Sequence, residues 1–540
     1  MKKLAPFFAP WVPLVMMLGG CLLAASWGHA ATVLSGNVSG TWTLSGSPYI
    51  LSADCTVVSN QTLTIQPGVE VVIVPDVSIQ VSGGISAIGT PEQPIRIRGA
   101  SPSNYWESIV ITQSPFTNRF HYCRISEGYQ ALIFQVTGGN RVMSPEILNC
   151  EFLNCRDRAI LGYVTARGSG QSEQGNATLA PAIHNCVFDR VGYGCTFAAF
   201  VEQPPGQSYL SPNIAGNVFK NLSHSALYVY GGGANTSHMI FANNTVVNVS
   251  KGVLIDSSDY FDVFLRNNLF VKNTNAIIVY GGPTILNTAY NCFFNNTANF
   301  NGYPGTYGLP VQNNSNGDAC DLFFNIFLNP QFLDTNTFLL ANNSPCIDAG
   351  DPAIADVCPP FSHGSSISDI GAYGGPDACG WLTHGFAPVI TGPPATQSSC
   401  VGGSTAFQVN AQGSAPLAYR WFFNTNTVLA GETNAQLNLA NLQTNQAGFY
   451  SVAVSNTFGS VTSAPARLLV FDACASISLY AGLTITGMVG RTYVVDASTN
   501  IAGPTWVPFA TNTLTTPRWL VVDTNTPLNP ARFFRVRLVP

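Results

Sequence analysis

Residues 217–219, 244–246 and 268–270 read Asn-Val-Phe, Asn-Thr-Val and Asn-Leu-Phe, so one short pattern returns at intervals of 27 and 24 residues. The pattern is Cys or Asn, then any residue, then an apolar residue. Its seven occurrences are Cys123-Arg124-Ile125, Cys150-Glu151-Phe152, Cys186-Val187-Phe188, Asn217-Val218-Phe219, Asn244-Thr245-Val246, Asn268-Leu269-Phe270 and Cys292-Phe293-Phe294. The spacings run 27, 36, 31, 27, 24 and 24 residues. A repeat near 24 residues fits a coil of three short strands and three turns, with longer loops where the spacing is longer.

Stacked coils of this kind lie about 4.8 Å apart, which brings equivalent residues of successive coils into columns. The apolar column faces inward, so Phe219, Val246, Phe270 and Phe294 are expected to line up. The Cys/Asn position forms its own column, in which Asn adopts a turn conformation and bonds to its neighbours above and below. A lone coil cannot bury its apolar face, so the coils must stack. The sequence therefore predicts a right-handed parallel β-helix within an all-β protein.

The segments that flank the repeat resemble parts of secreted bacterial β-helix proteins. Residues 63–71 and 79–85 alternate and turn with the same rhythm, as in the opening coils of the pectate-lyase-like superfamily. Residues 344–351 and 369–373 resemble the segment that often closes such helices, but Gly374 stands where relatives commonly have Glu. The resemblance covers roughly residues 35–380. It implies the fold and leaves the chemistry open, because this fold hosts lyases, hydrolases and inert scaffolds.

The N-terminus has the features of a secretory signal peptide. Lys2 and Lys3 precede an apolar run over residues 4–25 and the small-residue sequence Gly28-His29-Ala30. We expect cleavage after Ala30 and a secreted or cell-surface protein. Residues 18–21, Leu-Gly-Gly-Cys, also resemble a lipoprotein box, which would anchor the protein through a lipid on Cys21. No later stretch is long and apolar enough to be a transmembrane segment of the mature chain.

The charge balance argues against a nucleic-acid partner. Without residues 1–30 the chain has 20 basic and 27 acidic side chains, a net charge of roughly −7. Charged residues make up 9% of the chain and hydrophobic residues 46%, which excludes a disordered chain or a coiled coil. A length of 540 residues suits two or three domains after the signal peptide.

We predict three domains: the β-helix with its closing segment over 32–385, a second domain over 387–471 and a small C-terminal β module over 475–540. The second domain resembles an immunoglobulin-type sandwich. Trp421 matches the core Trp, and Tyr450 matches the tyrosine corner. Val409 and Val452 occupy the two cysteine positions, so a packed core without the disulfide is expected. The last module resembles the small β-sandwich tails of secreted bacterial proteins.

Thirteen cysteines remain after cleavage at Ala30, so at least one is unpaired. Cys123, Cys150 and Cys186 fall in one column with parallel side chains and are expected to be buried free thiols, because a disulfide needs facing Cβ vectors. The expected disulfides are Cys346–Cys358 and Cys400–Cys474, in keeping with export.

Four residues lie ten or eleven positions after the apolar residue of a marker: Tyr163, Tyr230, Asp256 and Tyr280. Alternation turns these residues outward together with Tyr228, while the apolar residues between them point inward. The outward residues predict a flat carbohydrate-binding face, on which rings stack against sugars and Asp256 bonds to hydroxyls. The alternative is an aromatic ladder that only stabilises the sheet, with each cross-strand pair contributing up to about 1 kcal/mol.

Catalytic candidates are sparse. If the chain is a polysaccharide lyase or a glycoside hydrolase, the acids are Asp256 and Asp259 and the basic residue is Lys251 or Arg266. Asp157 and Asp189 are expected to form surface ion pairs with neighbouring arginines. No cofactor is expected, although Asp348, Asp351 and Asp369 are weak candidates for a Ca²⁺ site, with hydrogen bonds that stabilise turns as the alternative.

Three functions remain open at this point. The first is a non-catalytic exported protein that binds extracellular polysaccharide or cell-envelope material, which the modular build and the low charge favour. The second is a β-helix polysaccharide lyase or glycoside hydrolase. The third is a cell-surface adhesin in which the sandwich modules serve as spacers or contact heads.

Overall fold

The computed structural model describes residues 31–540 except a set of short internal segments. The residues outside the description are 1–30, 169, 171–172, 203–205, 233–236, 258–260, 282–284, 304, 357–363, 382–387, 415, 425, 457–458, 473–480 and 525–530. Two compact units are present, and each is described by itself. The first contains the chain through Thr391 together with 410–418 and 454–461, and the second contains the remaining C-terminal residues.

The first unit is a right-handed parallel β-helix, which confirms the predicted all-β fold. Its strands form three parallel stacks, and the first two join into one 20-stranded sheet because Thr32–Asn37 and Tyr49–Val57 run through both. We name the stacks the ladder sheet, the tyrosine sheet and the third sheet. The other strands of the ladder sheet are Glu70–Ile73, Ile95–Gly99, Cys123–Ser126, Glu151–Leu153, Val187–Asp189, Val218–Lys220, Thr245–Val247, Leu269–Val271 and Cys292–Phe294.

The other two stacks complete the coils. The other strands of the tyrosine sheet are Ser78–Val81, Ser108–Thr112, Gln130–Thr137, Arg158–Ala166, Tyr193–Val201, Ser225–Gly232, Lys251–Ser257, Asn275–Gly281 and Ala298–Asn301. The third sheet consists of Gly40–Trp42, Thr62–Ile65, Gly84–Ile88, Arg119–His121, Glu146–Leu148, Ala182–His184, Asn213–Ala215, Ser237–Ala242, Phe261–Arg266 and Ile285–Ala289. Arg141–Met143, Ala177–Leu179 and Ser208–Leu210 form a short fourth stack in the middle coils.

The strand register confirms the column of apolar marker residues and corrects its last member. Ile125, Phe152, Phe188, Phe219, Val246, Phe270 and Phe293 pair in succession and are buried. Phe294, which the sequence placed in this column, pairs with Val271 instead. The last marker is therefore Asn291-Cys292-Phe293, 23 residues after the preceding one. Asn291 and Cys292 both satisfy the pattern, and hydrogen bonding selects Asn291.

The Cys/Asn column is a buried hydrogen-bonded ladder. Asn217 donates from Nδ2 to Oδ1 of Asn244 at 3.0 Å, and Asn268 donates in the same way to Asn291 at 3.0 Å. The ladder ends at Asn325, whose Nδ2 lies 3.1 Å from the carboxylate of Asp321. Each amide also binds a backbone carbonyl of the coil below, so the polar groups are satisfied inside the core.

The turn conformation belongs to the residue before each ladder residue, which corrects the sequence expectation. Asn185, Asn243 and Asn267 have φ between 50° and 57°, and Gly216 has φ 68°. Asn tolerates this left-handed region better than most residues. The ladder Asn itself then points its amide along the helix axis.

The segment after the last coil covers the outward face of the ladder sheet. Val247, Leu269 and Val271 pack there in one buried cluster with Leu340 and Tyr373. Backbone and side-chain bonds fix the segment in place: Gly371 N–H donates to Asn267 O at 2.7 Å, and Trp381 Nε1 donates to Gly216 O at 3.0 Å. The closing segment therefore covers the outward side of the ladder sheet at Val247, Leu269 and Val271.

Mostly antiparallel strands make up the C-terminal part of the chain, and Gln397–Cys400 pairs in parallel with Ala466–Phe471. Val389–Gly392, Gln397–Cys400, Thr405–Gln408, Asn410–Gln412, Ala418–Phe423, Thr427–Val428, Gln436–Leu439, Gly448–Asn456, Gly459–Thr462 and Ala466–Phe471 come first. Ala481–Thr486, Thr492–Ser498, Val507–Thr513, Arg518–Asp523 and Phe533–Leu538 follow. Three short 3₁₀ helices, Leu44–Gly46, Ala378–Gly380 and Thr444–Gln446, are also present.

The immunoglobulin-type features of the sequence are found in the second unit. Trp421, Val409 and Val452 are buried, as expected for a core that packs without a central disulfide. Tyr450 donates from its hydroxyl to Gln446 O at 2.9 Å, the bond of a tyrosine corner.

Candidate functional site

The register of the tyrosine sheet aligns the predicted outward residues. Tyr163 pairs with Ala198, Ala198 with Tyr230, Tyr230 with Asp256, and Asp256 with Tyr280. The five residues therefore form one column that crosses five coils. Tyr228 lies two positions before Tyr230 on the same strand, in a neighbouring outward column. We call the outward side of these strands the tyrosine face.

Alternation along each strand explains why these side chains point outward. Leu227, Val229, Val253 and Ile255 are fully buried in the core of the helix. Between them, Asp256 is exposed and Tyr228 and Tyr230 are half-buried. Tyr280 is 49% exposed, the largest exposure among these tyrosines. The predicted inward and outward assignment is confirmed.

The tyrosine rings contact one another. The centroids of the Tyr228 and Tyr230 rings are 4.9 Å apart at an interplanar angle of 24°, and Tyr228 lies 5.8 Å from the Tyr193 ring. The Tyr230 hydroxyl lies 3.5 Å from that of Tyr163, because the small side chain of Ala198 between them leaves the space open. Part of the surface of these four rings is therefore covered by their neighbours, as in the aromatic ladder considered from the sequence.

A second group at the start of the same strands was missed from the sequence. The guanidinium of Arg158 lies 4.7 Å from the Tyr193 ring centroid, and the Tyr193 and His224 rings stack at 3.9 Å. Lys251 Nζ follows at 3.5 Å from His224 Nε2. Counting five or six residues from the apolar end of each marker would have found all four.

The group is electrostatically biased toward positive charge. Burial, and then the charges of Lys251 and Arg158, lower the pKa of His224. Arg158 contacts the carboxylate of Asp157, which confirms one expected ion pair, and Asp189 pairs with Arg190 at 3.0 Å. Lys251 forms no ion pair with any described carboxylate. The tyrosine face therefore has a cation along one side and Asp256 along the other.

The predicted catalytic residues that the structure describes, Lys251, Asp256 and Arg266, do not lie together. Lys251 and Asp256 are five positions apart on one strand, roughly 16 Å along it. Arg266 belongs to the third sheet, where it contacts the carboxylate of Asp351 and donates to Asn287 Oδ1 at 2.8 Å. Asp259 lies outside the described residues. Arg266 and Asp256 therefore lie on strands of different sheets, and the catalytic roles of these residues stay predictions.

The carboxylates that the sequence suggested as weak Ca²⁺ ligands accept hydrogen bonds within the closing segment. Asp369 Oδ1 accepts the N–H of Asp348 at 2.9 Å, and Asp348 accepts the N–H and hydroxyl of Ser365 at 2.8 Å each. The carboxylate of Asp351 forms an ion pair with Arg266 and accepts a hydrogen bond from the N–H of Ala353. Among the described residues, no group of three or more His, Cys, Asp or Glu is arranged to hold a metal ion.

The cysteines differ from the expectation at one bridge. Cys346 is a buried free thiol, so the predicted disulfide with Cys358 is wrong, and Cys358 lies outside the described residues. Cys379 and Cys400 each take part in a disulfide bond. Pairing of Cys400 with Cys474 stays a prediction, because Cys474 is not described. Cys123, Cys150 and Cys186 are buried free thiols, as expected.

Within the part of the chain that the structure describes, no helix has the length and apolar composition needed to cross a bilayer. No protein-family model matches the sequence, and no curated protein matches it.

Solved structures match over short alignments. A chimeric titin Z1Z2 carrying a decorin peptide is 24% identical and covers 16% of this chain and 98% of that one, with a TM-score of 0.15. The trigonal form of titin M4 is 26% identical over 16% of this chain and 97% of that one, also at 0.15. Domains 3–5 of Drosophila OTK are 18% identical over 16% of this chain and 32% of that one, at 0.15. These alignments concern about one sixth of the chain and carry no argument about its function.

Proposed function

We propose that this chain is an exported, non-catalytic β-helix protein that binds extracellular polysaccharide or cell-envelope material on its tyrosine face. One observation carries the proposal: Tyr230, Asp256 and Tyr280 occupy a single outward column, and Asp256 and Tyr280 are exposed. An exposed ring offers a surface for the C–H groups of a sugar, and a carboxylate accepts hydrogen bonds from its hydroxyls.

The shape of the tyrosine face supports a long ligand. The column spans successive coils of a rigid stack, so its side chains repeat about every 4.8 Å along the axis. Regular spacing on a flat surface suits a polymer that offers similar groups at regular intervals. The apolar residues Leu254 and Ile278 of the neighbouring column are buried, so the exposed part of the face at these coils is the column of Asp256 and Tyr280.

Export and ancestry belong to the same proposal. The N-terminal pattern of Lys2, Lys3, the apolar run and Ala30 supports a signal peptide. The opening and closing segments support a relationship to secreted bacterial β-helix proteins of the pectate-lyase-like superfamily. Anchoring through Cys21 is the alternative to release. Mass determination of the N-terminus of protein recovered from the producing cell distinguishes cleavage after Ala30 from lipidation of Cys21.

Binding is tested by affinity electrophoresis through gels that contain pectin, alginate, xylan or glucan. The wild-type chain is expected to be retarded by at least one of these glycans. Tyr280→Ala and Asp256→Ala each reduce that retardation by about tenfold or more, since both groups are exposed and face the ligand. The matched control Phe449→Ala removes an exposed ring from the second unit and leaves retardation unchanged. Retardation by none of the glycans, or equal retardation of all four proteins, contradicts the proposal.

One observation favours polysaccharide lyase as a second candidate. His224 has a lowered pKa and lies 3.5 Å from Lys251, so a neutral imidazole beside a cation is available at neutral pH. The same glycans are incubated with the protein and assayed for new unsaturated ends and for new reducing ends. Unsaturated ends that disappear with His224→Ala favour the lyase, and retardation without either product favours binding alone.

A further inference from the structure

Four successive turns between the ladder sheet and the tyrosine sheet form a cleft away from the tyrosine face. Their side chains come from Asp76, from Tyr105 and Glu107, from Tyr129, and from Arg156. Backbone bonds stack these turns: Asp76 N–H donates to Tyr105 O at 3.2 Å, and Tyr129 N–H donates to Trp106 O at 2.7 Å. We call this site the turn cleft.

The turn cleft is small and has two aromatic walls. Its volume is about 320 Å³, which lies at the lower end of the range for ligand pockets. The guanidinium carbon of Arg156 lies 5.8 Å from the centroid of the Tyr105 ring and 5.9 Å from that of Tyr129. Tyr129 is 37% exposed, and Glu107 and Arg156 are exposed as well.

The charged groups of the turn cleft are not paired with described residues. Neither Arg156 nor the carboxylates of Asp76 and Glu107 form an ion pair within the described part of the chain. Arg156 therefore offers guanidinium donors, and the two carboxylates offer acceptors, beside two tyrosine rings. The exposed lining of the cleft is mostly polar, so a ligand rich in hydroxyl groups fits it better than an apolar one.

We propose that the turn cleft binds a single neutral sugar residue, as a second glycan site independent of the tyrosine face. The ring of Tyr129 packs against the C–H face of the sugar. Glu107 and Asp76 accept hydrogen bonds from its hydroxyls, and Arg156 donates to a hydroxyl or to the ring oxygen. Two carboxylates against one guanidinium leave the cleft with net negative charge, which disfavours an acidic sugar. The volume admits a chain end or a branch and leaves no space for a long segment.

Saturation-transfer NMR on the full chain tests the proposal with cellobiose, xylobiose and digalacturonic acid as probes. The wild-type chain is expected to transfer saturation to one ring of cellobiose or xylobiose and more weakly to digalacturonic acid. Tyr129→Ala and Glu107→Ala each weaken the transfer at least tenfold. Tyr129→Phe retains it, because the ring is kept. Melting temperatures of all variants stay within a few degrees of wild type, since these side chains are exposed.

Variants of the tyrosine face separate this inference from the proposed function. Tyr280→Ala and Asp256→Ala are expected to leave the disaccharide signal unchanged, whatever they do to retardation by polysaccharides. The inference is overturned if neither neutral disaccharide binds, if Tyr129→Ala lowers melting without changing the signal, or if digalacturonic acid binds more strongly than the neutral pair. A signal that disappears with Tyr280→Ala instead assigns the disaccharide to the tyrosine face and also overturns it.

Discussion

Asn244 donates from Nδ2 to Oδ1 of Asn268 at 3.1 Å inside the core of the β-helix. The backbone N–H of Asn244 donates to the same oxygen at 3.0 Å. One amide oxygen thus satisfies two buried donors of the coil below it. Because the arrangement repeats from Asn217 to Asn325, the spacing of the coils is fixed by polar bonds in addition to apolar packing.

Because the Asn ladder is buried, we expect a single substitution in it to lower the free energy of unfolding substantially. Asn268→Ala leaves the N–H and Nδ2 of Asn244 without their acceptor and removes the bond from Asn268 Nδ2 to Phe241 O. Buried donors without partners cost about 1–3 kcal/mol each, so we expect a loss of about 3 kcal/mol in the free energy of unfolding. Urea unfolding followed by circular dichroism measures it. Asn343→Ala, at an exposed position, is the control and is expected to change stability by less than about 0.5 kcal/mol.

Some tyrosines of the tyrosine face pack against other rings, whereas others are exposed to solvent. Tyr228→Ala removes a half-buried ring that stacks on Tyr193 and Tyr230, so we expect a loss of about 2 kcal/mol. Tyr280→Ala, at a ring that is 49% exposed, should cost less than about 0.5 kcal/mol. Thermal unfolding of the two variants provides the comparison. Equal losses would mean that Tyr280 is also part of the supporting ladder and would weaken its assignment to a ligand.

The buried thiols are expected to be inert in the folded protein. Burial raises the pKa of Cys155 to about 12 and also raises that of Cys195, so little thiolate exists at pH 8. We expect iodoacetamide to leave the nine free described cysteines unlabelled in native protein and to label them in urea. Peptide mass spectrometry identifies the labelled sites. Rapid native labelling of Cys123, Cys150 or Cys186 would mean that the coils open locally.

The repeat was readable from the sequence because each coil must bury an apolar residue at the same position. The choice between Asn291 and Cys292 was not readable, since either residue fits the pattern and only the bond from Asn268 distinguishes them. The lengths of the loops determine which side chains from the turns of neighbouring coils lie close together. The approach of Arg156 to Tyr105 joins residues 51 positions apart across coils of unequal length, which marker spacing does not reveal.

The outward side of the tyrosine sheet was also predicted only in part. Alternation places Tyr230 and Asp256 outward, because the period of a strand is two. Whether neighbouring rings stack on one another or stand free depends on their rotamers and on the residue between them. Ala198 is the example: its small side chain lets Tyr163 and Tyr230 meet, and nothing in the local pattern marks it as a spacer.

The carboxyl group of Asp356 is expected to make the stability of the closing segment depend on pH. Burial raises the pKa of its carboxyl to about 6, even though the N–H groups of Gly375 and Asp369 donate to it. A raised pKa means that the folded state binds this proton more tightly than the unfolded chain does. Between about pH 6 and pH 4 the folded state therefore carries more protons, and this group adds stability as the pH falls through that window. Above about pH 6 the carboxylate is charged in both states and its burial is unfavourable.

The variant Asp356→Asn isolates this contribution, because it removes the titration and changes the accepted hydrogen bonds by a pH-independent amount. We expect the stability of the variant relative to wild type to be higher at pH 7 than at pH 4.5. Urea unfolding at both pH values gives the two differences, and comparing them cancels the titration of the other carboxylates. A difference that is the same at both pH values would mean that the carboxyl of Asp356 titrates near its ordinary pKa in the folded protein, and a larger difference at pH 4.5 would mean that its pKa is lowered.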